Sequence, residues 1–113
     1  MFVDIEAIRD QFPFDPFKAI VAPRPIGWIS SISTNGIANI APYSFFNALS
    51  SDPHPIGFSS SGWKDTVSNY ESISEIVFKL VTQQLLASMS KSSATIPCED
   101  SEFEFCGLES ASS

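Results

Sequence analysis

Apolar and polar residues alternate most regularly over Ile26–Ser33, where Ile26, Trp28 and Ile32 share one face at period two, with Ser30 between them and Ile29 behind. That spacing predicts a β-strand. Thr34-Asn35-Gly36 follows, and Asn-Gly favours a tight hairpin in which both central residues take positive φ. Ile37–Ala41 is the expected return strand, ended by Pro42. Period two resumes over Ile76–Thr82, with Ile76, Phe78 and Leu80 on one face and Val77 and Val81 on the other, around Lys79. Apolar residues on both faces predict a central strand. A shorter strand is expected over Ile56–Ser60, between the turn Asp52-Pro53-His54-Pro55 and Gly62.

Helical spacing is confined to shorter pieces. A lead-in helix is expected over Val3–Gln11, before Pro13 and Pro16 fix an extended path, and Pro23-Arg24-Pro25 excludes helix altogether. Thr66–Ser72 reads as helix with Asp65 as its N-cap, and Gln83–Met89 has helical composition. Tyr43–Ser50 is apolar but broken at irregular spacing by Ser44, Asn47 and Ser50, which a pure core segment would not need. The order of hairpin, strand, helix, strand, helix and tail predicts a mainly β fold, a small barrel with helical inserts.

Composition narrows the class of protein. With 113 residues there is room for one domain, and 43% apolar with 12% aromatic residues excludes a disordered chain. The net charge of −7 argues against nucleic acid as a partner. Much of that charge lies in Glu99, Asp100, Glu102, Glu104 and Glu109, a run without Lys or Arg that reads as a solvated acidic end, with 109–113 as a disordered tail. No apolar run approaches the roughly 20 residues of a membrane span, and Asp4, Glu6 and Arg9 stand where a signal peptide needs apolar sequence. The expectation is a cytoplasmic protein with no membrane partner. Cys98, Cys106 and the lone His54 make no metal set, and the two thiols are expected to be reduced.

Three segments could carry chemistry. In Phe58–Thr66, hydroxyls, a glycine, Lys64 and a helix start fall together at the end of a strand. A phosphate monoester is recognised by hydroxyls, backbone N–H groups and a point charge at a helix N-terminus, while a polar turn with an N-cap would read the same way. In Pro42–Ser50, aromatic faces and amides could surround a flat heterocycle, or simply be core. Trp28 and Ser30 invite the same two readings. Arg24, between prolines, is either an anion contact held by a rigid loop or an exposed arginine in a turn. His54 alone, far from any nucleophile elbow, gives a Ser-His-Asp system no support. An enzyme built from this chain would take its chemistry from a bound cofactor.

Three segments, in order, resemble the flavin reductase-like, FMN-binding split-barrel family: Phe17–Ser30 (FKAIVAPRPIGWIS), Asn39–Ser50 (NIAPYSFFNALS) and Phe58–Thr66 (FSSSGWKDT). Asn69 and the strand Ile76–Thr82 also fit, so the resemblance spans about residues 14–108 of a single domain. It implies a Greek-key split β-barrel of six strands that dimerises with itself and holds FMN near the subunit interface. By position, Ser59, Ser60, Ser61, Lys64 and Thr66 would hold the FMN phosphate. Ser44, Phe45, Asn47, Ala48 and Ser50 would line the isoalloxazine and ribityl chain, with Arg24, Trp28 and Ser30 nearby. The activity implied is oxidoreduction of the flavin reductase type, in which NAD(P)H gives hydride to bound FMN and no side chain is named as catalytic. Members of the family continue with further strands beyond the segment matching Asp100–Leu108, so a C-terminally truncated barrel is expected. Borrowed strands or a degenerate relative would give the same pattern, and the alternative function is a non-catalytic FMN-binding module or an inactive relative.

Overall fold

The structure, a computed structural model, describes Asp4 and residues 6–111. Two short helices, α1 (Ile8–Gln11) and α2 (Phe17–Ile20), lead into a hairpin of β1 (Gly27–Ile32) and β2 (Ala38–Tyr43). A second antiparallel pair follows, β3 (Phe46–Ala48) and β4 (Ile56–Phe58). Then come α3 (Asp65–Ile73), β5 (Val77–Lys79), a 3-10 turn over Gln83–Leu85 that runs into α4 (Leu86–Lys91), and α5 (Glu102–Phe105). Of the lead-in helix expected over Val3–Gln11, Val3 and Ile5 lie outside the described residues, and the part seen is α1. Residues 112–113 of the expected tail also lie outside them.

The hairpin forms as its alternation requires, pairing Gly27 with Tyr43 through Ile32 with Ala38. Its turn differs from the expected one. Gly36 takes φ 80°, but Asn35 does not take positive φ; Ser74 is the described non-glycine residue that does. The Gly36 N–H donates to Ser33 O at 2.9 Å and the Ser33 N–H to Ile37 O at 2.9 Å. One left-handed glycine therefore closes a longer loop, in place of a two-residue turn needing two such residues. Nor does Pro42 end the return strand, which runs on to Tyr43. The strand lies at the edge of its sheet, where a missing N–H is tolerated.

The three-stranded sheet has the order β2-β1-β5, so β1 is central and β5, expected to be central, is an outer strand with Val77 and Phe78 partly exposed. Both faces of β1 are covered. Trp28 packs with Ile40 and Phe103 on one face, joined by Val81, Leu85, Met89 and Leu108 from the later segments. On the other face Ile29, fully buried, and Ser31 lie under α3. This double coverage explains why a strand carrying two serines is buried almost throughout. The segment expected to be an irregular aromatic stretch contains β3, whose Phe46 pairs with Phe58. Asp65 is the first residue of α3 and not its cap; Lys64 occupies the cap position, with no side-chain cap bond.

Gly27 marks the tightest packing. A Cβ there would enter the contact radius of the Phe46 ring, which stacks on Phe78 at 5.0 Å between centroids. Gly27 is paired with Tyr43 of β2, and the next residue, Trp28, is paired on both sides, so the backbone has little room to retreat. Gly27→Ala should therefore push Phe46 off Phe78 and destabilise the fold by about 1–3 kcal/mol, the usual range for overpacking. Urea denaturation measures the loss; an unchanged midpoint would mean that the Phe46 ring yields freely.

Candidate functional site

Two hollows flank the segment that runs from the end of β2 to the start of α3. The first, about 450 Å³ and open to solvent, is lined by Arg24, Ser44, Phe45, Asn47, Phe58 and Ser59, among others. Its aromatic side is well defined: Phe45 stacks on Phe17 with centroids 6.3 Å apart, and the Arg24 guanidinium stands 5.6 Å from the centre of the Phe45 ring. Arg24 is not a free arginine in a turn. Its Nη1 donates to Lys18 O and Val21 O, each at 2.7 Å, tying down the C-terminal end of α2. Its Nε is buried and finds no partner among the described residues.

The second hollow, about 440 Å³, is lined by Asn39, Tyr43, Lys64, Asp65, Thr66 and Glu102, with the 92–96 loop and Cys98 closing it. Behind it runs a buried polar chain. Thr66, 1% exposed, donates through Oγ1 to Asn39 Oδ1 at 2.9 Å, and Asn39 Nδ2 donates to Glu102 Oε1 at 2.9 Å. Asn69 Nδ2 donates to Ser31 Oγ at 3.0 Å, extending the polar layer beneath α3. Tyr43 also lines this hollow; its ring tilts against Phe58 at 4.9 Å, and its buried hydroxyl has no partner among the described residues. Trp63 stands exposed at the rim, its Nε1 donating to Ser68 Oγ at 2.8 Å.

The residues singled out from sequence fall into five groups. Arg24, Ser44, Phe45, Asn47 and Ser59 come together around the first hollow, while Lys64 and Thr66 line the second. Ser60 and Ser61 lie on the bend between the two, with Ser60 Oγ donating to Gly62 O at 2.9 Å. Ala48 and Ser50 are exposed near the far end of β3, where Ser50 Oγ donates to Asp52 O at 3.3 Å. Trp28 and Ser30 are buried in β1 and are joined to the protein itself. Trp28 Nε1 donates to Ser92 Oγ at 2.9 Å, and Ser30 Oγ accepts from Lys79 Nζ at 2.6 Å.

The acidic end was expected to be solvated, and for Glu102 it is not. Glu102 is 7% exposed, beside Phe103 in the core, and Ser101 Oγ donates to Ala38 O at 2.6 Å on the outer edge of β2. The segment folds back because Phe103, Cys106 and Leu108 pack, and Glu102 is carried in with them. In the sequence Phe103, Phe105 and Leu108 suggest packing here; Phe103 is in the core and Leu108 lies against it, while Phe105 is exposed.

Burial pushes the Glu102 carboxyl above the usual carboxylate range, and the Asp65 charge adds to the rise, against backbone amides and Asn39, which pull it down. The folded protein thus binds this proton more tightly than the unfolded chain. Stability from this group is full at low pH and is lost as pH rises through the raised value. Glu102→Gln keeps an acceptor for Asn39 and removes the buried charge, so it should raise stability at neutral pH and flatten the pH slope. Thermal melts of both proteins from about pH 4 to 8 test this; parallel curves would rule it out.

Comparison with known proteins places the fold. No protein-family model matches the chain. Solved structures do: nitrilotriacetate monooxygenase component B from Bacillus cereus, with 26% identity and TM-score 0.79 over 98% of this chain and 58% of that one. The 2-nitrobenzoate 2-nitroreductase NbaA of Pseudomonas fluorescens aligns with 25% identity and TM-score 0.83, over 96% of this chain and 53% of that one. A Shewanella frigidimarina protein described as a flavin reductase with a split barrel domain aligns over 99% of this chain and 59% of that one, at 21% identity and TM-score 0.74, a likeness of fold alone. The chain folds as a flavin reductase-like split barrel. The split barrel also has sequence relatives: uncharacterized proteins of Aquifex aeolicus, 42% identical over 94 residues, and Halalkalibacterium halodurans, 39% identical over 93. These matches cover 79% and 78% of this chain but 48% and 44% of those proteins, so the chain spans about half the length of the curated relatives it matches.

Proposed function

We propose that this split barrel holds FMN and serves NAD(P)H-dependent flavin reduction, as a homodimer. The observation that carries the reading is the meeting of Arg24, Ser44, Phe45, Asn47 and Ser59, from separate stretches of chain, around one hollow in a fold shared with flavin reductase-like proteins. The residues present suit the group. Phe45 offers an aromatic face, Ser44 and Asn47 offer hydrogen bonds, and the bend Ser59–Lys64 carries hydroxyls toward a lysine at the start of α3. Two buried polar atoms without partners, Arg24 Nε and Tyr43 Oη, stand on residues that line the two hollows, and an unmet buried donor is costly unless a ligand or water meets it.

In this reading Lys64 and the hydroxyls of Ser59, Ser60 and Ser61 hold the phosphate, while Thr66, whose hydroxyl donates to Asn39, fixes the start of α3 beside them. Ser44, Phe45, Asn47 and Arg24 position the ring and ribityl chain; of the other residues the sequence suggested, Ala48 and Ser50 lie outside that hollow, and Trp28 and Ser30 are bonded to Ser92 and Lys79. FMN, when bound, supplies the capacity to accept hydride from a nicotinamide. The chain's own part is orientation and the exclusion of water, with no side-chain acid or base required.

Addition of FMN to the purified protein should shift the flavin absorbance and quench its fluorescence, and no change at high micromolar FMN would reject the reading. NADH or NADPH oxidation then separates a reductase from a module that only holds flavin. Lys64→Ala should weaken FMN by roughly ten- to a hundredfold while leaving riboflavin little changed, because only FMN presents a phosphate to the ammonium. Equal losses for both ligands would make Lys64 structural.

A further inference from the structure

We propose that two copies of this chain join through the free edge of β5, pairing antiparallel about a twofold axis at Val77, so that Glu75 of each copy faces Lys79 of the other. The proposal rests on the homodimer of the preceding reading and not on its flavin. It begins from the two edges of the three-stranded sheet. The outer edge of β2 is covered, since Ser101 Oγ donates to Ala38 O at 2.6 Å and α5 packs against the strand. β5, by contrast, pairs with β1 on one side only. Among the described residues, the backbone from Glu75 to Val81 makes no hydrogen bond beyond that pairing. An edge of unpaired N–H and C=O groups is a template for another strand.

The side chains of this edge do not guard it. Val77 is 46% exposed, Phe78 42% and Leu80 81%, so the strand offers apolar surface along its length. The charge among them, Lys79, would ordinarily blunt an edge. Here its Nζ donates to Ser30 Oγ at 2.6 Å and stands 5.7 Å from the centre of the Phe103 ring, so the ammonium leans over β1 and leaves the outer side clear. Burial pulls it below the usual lysine range, and no carboxylate among the described residues offsets that.

Charge selects the register. In antiparallel pairing about a twofold axis normal to the sheet, residues equidistant from the axis lie opposite one another on the same face. An axis at Val77 sets Lys79 opposite Glu75, and Phe78 opposite Ile76, at both ends of the joint. An axis at Lys79 would bring two ammonium groups together, and one at Phe78 would set Lys79 against Val77 and leave Glu75 without a cation. An axis at Ile76 would pair Phe78 with Ser74, which takes φ 61° and is not extended. Opposed residues have β-carbons about 5 Å apart, within reach of a glutamate and a lysine. The Lys79 ammonium has three N–H donors, so it can keep Ser30 and still meet the carboxylate. Glu75 is exposed, and the pairing extends β5 back to include it. Phe78 stacks on Phe46, which lines the first hollow, so the joint lies one ring away from that hollow.

Sedimentation velocity over a series of protein concentrations, without flavin, measures the association. The wild type should dimerise. Glu75→Lys sets like charges opposite one another at both ends of the joint and should weaken the dimer by about tenfold or more, and Lys79→Glu added to it should restore the pairing with the charges reversed. Lys79 also holds Ser30, so circular dichroism checks the fold of the double variant. Should it not fold, Val77→Cys decides. Oxidised in a Cys98→Ser background, which removes the exposed native thiol, it should cross-link two copies, because residues facing each other at the axis come within disulfide reach. A monomer at every concentration would leave the edge to some other strand and overturn the proposal, and the homodimer with it; FMN titration of that monomer still judges the flavin reading alone. A dimer that E75K leaves unchanged and V77C does not cross-link joins by another face, which overturns this interface and keeps the homodimer.

Discussion

The Asn39 side chain holds the site end of this structure together. A primary amide has a donor end and an acceptor end, and in β2 the two are used on different elements: Nδ2 gives to Glu102 of α5, and Oδ1 receives from Thr66 of α3. Each bond alone contributes on the order of 1 kcal/mol, more for the one to a carboxylate. Their joint effect is larger than that figure suggests, because all three partners are buried and none can fall back on water. Removing the amide would strand a carboxylate and a hydroxyl together. The strand edge, the start of α3 and the last helix are thus tied together at one residue, beside the packing of Phe103 and the bond from Ser101 to Ala38.

From that junction the geometry of both hollows follows. Thr66 fixed against β2 sets where α3 begins, and Lys64 lies two residues before it, on the rim of the second hollow. The bend from Ser59 to Lys64 must then run from the end of β4 to that point. Its other end is held by the Ser59 N–H, which donates to Phe45 O at 2.9 Å. A short polar bend clamped at both ends loses little freedom when it closes on an anion, which is the condition for binding without a large entropy cost.

The hairpin, the short strand before the bend, α3 and the helical turn after β5 were legible because each rests on local periodicity or on turn residues. What escaped was decided by distant partners. Ile76–Thr82 is apolar on both faces, which reads as central, yet which strand lies in the middle depends on pairing, and β1 won that place by pairing on both sides. Pro42 reads as a stop until the edge position of β2 removes the need for its N–H. Of the site, the three motifs brought out Arg24, Phe45, Asn47, Ser59 and Lys64, whereas Glu102 lay in a run of acids whose average character is solvated. No local pattern marks one glutamate of five as buried; only the packing of Phe103 and Leu108 against Trp28 and Ile40 does so.

Arg24 shows how far such a site can be built before any ligand arrives. A guanidinium has five N–H donors in a fixed plane. Those on Nη1 hold two carbonyls at the end of α2, and the ring of Phe45 lies 5.6 Å from the guanidinium carbon, so the orientation of the group is set by the protein. The unmatched Nε is then held buried, beside the hollow that Arg24 lines. A flexible surface arginine would have to give up rotamer freedom to make the same contact, and a lysine could not tie down the loop and present a second donor in one plane. The prolines on either side keep the backbone extended, and the carbonyls of Lys18 and Val21 do the rest. Rigidity in this loop is therefore a property of the aromatic side of the site, just as the Asn39 junction is of its charged side.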